Sequence, residues 1–180
     1  MKNSETTKSE DPRVKKAYDL GYDYEGRFRG CGQCAFAALQ DSLGLRNRET
    51  DAIFKAATSL AAGTGLEGDG QCGAYSGAAL MVGYLAGRER DDFSDPEGRR
   101  KVAFRLTQQL HKEMIDLFGT VICHQIHRKI MGRPFYIPNP QEHEAFEEAG
   151  AHKDKCTSVV AELSSRAARI LIDEGLVPAP

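Results

Sequence analysis

The chain has 180 residues, the length of a single domain, with 41% hydrophobic and 28% charged residues, an ordinary globular composition. Its 24 Lys and Arg against 26 Asp and Glu leave a net charge of -2, which excludes the basic excess of a nucleic-acid binder and an acidic tail. No run approaches the ~18–20 apolar residues that span a bilayer, and the N-terminus lacks the apolar stretch of a secretory signal, so a cytoplasmic protein without membrane insertion is expected.

Taken in chain order, the pattern is helical nearly throughout. Residues 1–12 read as a flexible polar lead-in, and 13–176 as one helical redox-type domain. Asp11-Pro12 signals a first helix over 11–28, with Val14, Tyr18 and Tyr22 on its inward face. Gly30 and Gly32 break it, and a second helix follows over 33–43, ended by Gly44. A third, over 48–61, places Ile53, Phe54, Ala57 and Leu60 at helical spacing. A loop with four glycines, Gly63, Gly65, Gly68 and Gly70, then leads into Cys72 and a helix over 72–87. Gly73 and Gly77 lie four apart on this small-residue helix. Glycine costs about 1 kcal/mol there relative to alanine, so the pair predicts a second backbone packed close against it. Ser94-Asp95-Pro96-Glu97 predicts a helix start and a long helix over 96–118, with Val102, Leu106, Leu110, Met114 and Leu117 inward. A short helix over 120–131 holds Cys123. Three prolines between 133 and 140 make a surface excursion, followed by a short acidic helix at 140–149. A last helix over 153–174 turns Val159, Val160, Leu163, Ala167, Ile170 and Leu171 inward. The expected fold is an all-α, single-domain, multi-helix bundle with a Gly-rich loop before a central small-residue helix.

Five cysteines remain to be explained. An odd count in a reducing compartment argues against a paired structural framework and for metal binding or redox chemistry. Cys31-Gly32-Gln33-Cys34 is a CxxC. Ala35, not His, follows it, so it is no c-type haem site, and no strand–helix alternation makes it thioredoxin-like. A thiol at a helix start is expected to have a lowered pKa, because the free N–H groups there favour the thiolate. Cys72 follows a loop that lacks the GxxxxGK[ST] pattern of a phosphate cradle. Cys123 and His127 are four apart and share a helix face, a spacing suited to a metal or to an activated thiol. Cys156 falls in the first turn of the last helix. Four helices each offering a cysteine near one end point to a single convergent site, and clustered thiolates suit zinc or an iron–sulfur centre.

Cys72-Gly73-Ala74-Tyr75-Ser76-Gly77 matches the CGAxxG core of the redox-active protein family named for its CGCAxxG-C-C cysteine pattern. The glycine loop before it, Gln33-Cys34-Ala35, Phe118-Gly119 ahead of Cys123, and the late Cys156 also resemble that family, over about residues 14–172. The resemblance implies that the family's four cysteines fall on Cys34, Cys72, Cys123 and Cys156. Cys31 then looks like an addition, and 133–152 looks longer than the family's minimum. A similar domain in split-Soret cytochromes accompanies haem and a [2Fe–2S] centre. The resemblance therefore implies [2Fe–2S] as the cofactor, while the missing CxxCH speaks against haem c.

The reading is a cysteine-based redox or electron-transfer protein whose four cysteines converge on one site, holding an iron–sulfur cluster or reversible disulfides. Cys34, Cys72, Cys123 and Cys156 are the expected ligands, with Cys31 and His127 as weaker metal candidates. In the disulfide version Cys34 or Cys72 is the nucleophile. The alternatives are a structural zinc module without redox turnover, and a helical interaction protein with inert cysteines. Between oxidoreductase and electron carrier the residues do not choose. The expected partner is another redox protein, with a homodimer as the candidate assembly.

Overall fold

A computed structural model describes residues 11–178. It contains eight α-helices among those residues: α1 (Pro12–Phe28), α2 (Cys31–Leu43), α3 (Arg48–Ala56), α4 (Gly73–Ala86), α5 (Arg99–Phe118), α6 (Cys123–Met131), α7 (Pro140–Glu148) and α8 (Cys156–Asp173). The all-α expectation holds. The expected N-terminal lead-in lies, up to residue 10, outside the described residues.

The helix ends follow the local chemistry. Asp11 caps α1 through Arg13 N at 2.9 Å, with Pro12 in the first turn. Asn47 and Thr50 form a reciprocal capping box on α3, and Asn139 caps α7 ahead of Pro140. Two of the starts that differ from the sequence reading are set by the chain just before them. The helix expected from 96 begins at Arg99, because Asp95 (φ 56°) and Gly98 (φ 72°) turn the chain first. The Asp95 carboxylate then accepts from Arg99 N and Arg100 N at 2.7 and 3.2 Å. The helix expected from 120 begins at Cys123, because Ile122 is held extended in a lone antiparallel bridge to Gln71.

The core is built on α2, α4 and α8, with α1 and α5 packed against them. Leu39, Met81, Val82, Leu106, Leu110, Met114, Val160, Leu163 and Leu171 are fully buried in it. Helix α1 turns a different face inward from the one expected. Ala17, Gly21 and Glu25 are buried, while Tyr22 is exposed and its hydroxyl donates to Lys153 O. The reason is the close approach of α8: a Cβ on Gly21 would lie 3.1 Å from the Ala161 Cα, so the contact at that position calls for glycine. The close packing expected at Gly73 and Gly77 is present, and the neighbour is the start of α2. A Cβ on Gly77 would lie 2.1 Å from the Gly32 carbonyl oxygen, and one on Gly73 would lie 2.4 Å from Cys31 Sγ.

The segment from 133 to 151 builds a second, smaller core of Phe135, Ile137, Phe146 and Ala151, which packs on Ala62, Met131 and Cys156. It ends in a π-turn, Ala151–Lys155, where Gly150 O accepts from the N–H groups of Lys153, Asp154 and Lys155. Helix α8 therefore starts at Cys156, three residues later than its periodicity indicates.

Candidate functional site: a thiol-lined cavity at four helix starts

Four helices present a cysteine at or beside their first turn. Cys31 is the first residue of α2, Cys72 is the N-cap of α4, Cys123 opens α6 and Cys156 opens α8. All four line one cavity of about 220 Å³. Loop chemistry brings them together. Cys72 N donates to Val121 O (2.8 Å), Cys123 N to Gly70 O (3.0 Å) and His124 N to Gly68 O (2.8 Å), which laces the glycine loop to the start of α6. Gly68 is obligatory there, since a Cβ would overlap the His124 ring. On the opposite side, Arg29 (φ 60°) and Gly30 (φ 87°) reverse the chain between α1 and α2. That turn brings Glu25, in the last turn of α1, to the cavity beside Cys31.

The structure separates the two cysteines of the CxxC. Cys31 faces the cavity, whereas Cys34 lies one turn further along α2 and lines a different groove with Tyr24, Phe28 and Phe54. Its thiol donates to Arg29 O at 3.1 Å. The cavity thus holds Cys72, Cys123 and Cys156 of the four expected ligands, together with Cys31. His127 also faces it: Nε2 is 3.4 Å from Cys123 Sγ, while the buried Nδ1 has no hydrogen-bond partner among the described residues.

All five thiols are free. The lowered thiol pKa expected at helix starts is not what the site produces. The neighbouring Cys72 side chain and burial push Cys31 well above the ordinary thiol value. Burial also pushes Cys123 up to about 12, and it raises Cys156 and Cys34 strongly, with Glu25 adding to each. Removing a thiolate from water costs more here than helix N–H groups return. Burial likewise pushes the Glu25 carboxyl up to about 7 and His127 down to about 4, so both favour their neutral forms. Among the described residues no three His, Cys, Asp or Glu side chains gather closely enough to hold one metal ion as they stand.

Sequence reasoning missed two groups beside the thiols, Glu25 and His152. Glu25 is 2% exposed, and its Oε2 has no hydrogen-bond partner among the described residues. His152 stands 3.6 Å from Glu25 Oε1 through Nε2, and 2.8 Å from Glu147 Oε1 through Nδ1. The available signal for Glu25 was its place four residues after Gly21 and eight after Ala17, on the small-residue stripe. His152 carried no such signal, since it reaches the cavity only through the fold of the Pro-rich excursion.

Fold and cavity together define a small all-helical protein with a buried multi-thiol site. The model of one protein family, described as "Putative redox-active protein (C_GCAxxG_C_C)", matches residues 30–170, and the chain belongs to that family. No curated protein and no solved structure matches. No described helix is long and apolar enough to cross a membrane.

Proposed function

We propose that this is a cysteine-based electron-transfer protein whose site holds a [2Fe–2S] cluster between Cys31, Cys72, Cys123 and Cys156, in a reducing, cytoplasmic setting. The convergence of four helix starts, each bearing a thiol, on one cavity carries this reading. The donor set fits the group. Four thiols suit iron–sulfur ligation, and N–H groups at helix starts stabilise anionic sulfur. The high thiol pKa values mean that a cation must displace the protons. When bound, such a cluster accepts and returns one electron. The protein's own part is to keep water away, through Ile137, Phe146 and Val159 on the cavity wall, and to hold the sulfurs on rigid helix ends. The expected partner is a one-electron redox protein.

Cys31 takes the place that the resemblance assigned to Cys34, because only Cys31 of that pair lines the cavity. The test is iron, acid-labile sulfide and zinc content of anaerobically purified protein with its visible spectrum, for the wild type, Cys31→Ser and Cys34→Ser. The expected result is brown wild-type and C34S protein with equal iron per chain, and C31S stripped of most of it. Full iron in C31S with loss in C34S would return the ligand role to Cys34, and colourless, iron-free wild type would sink the cluster. A second reading is favoured by one proximity: the Cys72 side chain stands close enough to Cys31 to be the largest cause of its raised thiol pKa. In that case they form a reversible disulfide, and oxidation of iron-free protein consumes two thiols that neither C31S nor C72S loses. Zinc in place of iron would mark a structural metal module.

A further inference from the structure

Residues 62–66 wind against the hand of every helix around them. Ala62 (φ 46°), Gly63 (φ 81°), Thr64 (φ 72°), Gly65 (φ 63°) and Leu66 (φ 70°) follow one another at positive φ. Residues with a Cβ visit that region singly and at a cost, most of all a β-branched one such as Thr64. Glycine accounts for two of the positions, whereas Ala62, Thr64 and Leu66 carry strain. Strain of this kind persists only where the surrounding structure holds it, and it gathers at functional sites.

The strained turn stands between the thiols and solvent. Ala61, Ala62 and Leu66 line the cavity, while Thr64, Gly65 and Glu67 are exposed. Arg29 and Leu66 are the exposed residues of the cavity wall. Arg29 is tied to Glu147 at 3.0 Å. Leu66 is 39% exposed and belongs to neither apolar core. Its turn is held by local backbone bonds: Gly65 N donates to Ser59 O (2.8 Å), Leu66 N to Ala61 O (3.1 Å) and Gly68 N to Ala62 O (2.8 Å). At Gly68 the chain is anchored again, because His124 N donates to Gly68 O. The segment from 133 to 151, by contrast, is held over the cavity by its own apolar core. A short stretch with few apolar contacts and a strained backbone is where a fold opens locally at least cost.

We propose that the turn at 61–67 is a gate, which swings away from the cavity on its anchor at Gly68 and lets small solutes reach the thiols of Cys31, Cys72, Cys123 and Cys156. Opening releases Ala62, Thr64 and Leu66 to negative φ. Closing restores the local hydrogen bonds and lays Leu66 over the cavity mouth. Strain and hydrogen bonds oppose one another within the same few residues, so the open state lies within reach of the closed one without unfolding either core. A buried site that takes its occupant after the chain has folded needs such an entrance. The gate acts on whatever the cavity holds, and it stands or falls apart from the redox reading.

The experiment is iodoacetamide labelling of the full chain after chelation, with the rate at each cysteine read by peptide mass spectrometry, beside hydrogen exchange at 61–68 in the protein as purified. With opening and reclosing fast against labelling, each rate follows the open population. Two exposed positions on the turn are changed in opposite directions. Thr64→Asn places at φ 72° a residue that tolerates the left-handed region, so Cys31 should label several-fold more slowly than in wild type. Gly65→Val places a β-branched residue at φ 63°, where a Cβ meets nothing within 4 Å and only the backbone is strained. Cys31 should then label about fivefold faster or more, and exchange at 61–68 should rise with it. Cys34 lines a separate groove and should keep its rate in both variants. A Cys31 rate unchanged in either variant, or a matching change at Cys34, overturns the gate and leaves the redox reading standing. Both shifts in a colourless, iron-free protein support the gate and sink the cluster.

Discussion

Gly77 shows how one missing carbon sets the geometry of the site. Its place on α4 lets the Gly32 carbonyl oxygen approach to a distance at which a Cβ would be only 2.1 Å away. Backbone cannot move aside as a flexible side chain can, so Gly77→Ala should cost about 1–3 kcal/mol as overpacking. In a domain of this size that lowers Tm by several degrees, at roughly 2–4 °C per kcal/mol, in a thermal melt. An unchanged melting temperature would mean that α2 and α4 separate without cost. The need for close approach was legible in the sequence, because glycines four apart on a helix have few other uses. The choice between Cys31 and Cys34 was not. Residues three apart share a helix face but stand one turn apart along it, and which one meets the cavity depends on the rotation of α2 about its axis. The turn at Arg29 and Gly30 sets that rotation.

Among the elements, the excursion at 133–151 was recognisable as non-helical from its prolines, and α7 from Asn139-Pro140, but its destination was hidden. It folds back over the starts of α6 and α8, where Phe146 stacks on His127 at 5.0 Å and on Phe135 at 5.7 Å. Phe146 is 4% exposed and belongs to a small core with four buried side chains among the described residues. Phe146→Ala should therefore cost about 3–5 kcal/mol of local packing. Because that core stands apart from the main one, the loss should appear first as opening of the cover. The measurement is alkylation of metal-free protein, in which the cavity thiols should react many-fold faster than in wild type while the helical circular dichroism is kept. Equal alkylation rates would mean that Phe146 does not shield the thiols. The late start of α8 belongs here too. The inward stripe of α8 was readable from Val159 to Leu171, yet periodicity cannot register a π-turn, which shifts the frame by about one residue just before Cys156.

At the scale of the whole molecule, stability against pH should carry the marks of two buried groups with opposite signs. Glu25 has its folded pKa raised to about 7, so the folded state binds the extra proton; its contribution is full at low pH and is lost as pH rises through 7. His127 is lowered to about 4, so the unfolded state binds the proton first; its contribution is present above the ordinary imidazole pKa and is lost as pH falls through 4. Between about pH 5 and 6.5 the two slopes, each at most about 1.4 kcal/mol per pH unit, oppose one another. Urea midpoints of metal-free protein should thus be nearly flat over that window and fall above it. Glu25→Gln leaves the histidine slope alone, so its midpoint should climb with pH across the same window. A profile identical to wild type would mean that Glu25 is not buried as a neutral acid.

By itself, the sequence determined the class of the protein. Helical periodicity, capping residues and the order of its cysteines are local signals, written into neighbours three or four apart, and they suffice for an all-α chain with a multi-thiol site in a redox-active family. Only the tertiary structure decided which thiols meet, that Cys31 and not Cys34 joins them, and that Glu25 and His152 stand beside them. Those outcomes depend on helix rotation, on backbone turns at positive φ and on a long excursion folding back. Contacts between residues more than a hundred positions apart leave no periodic trace in the chain that makes them.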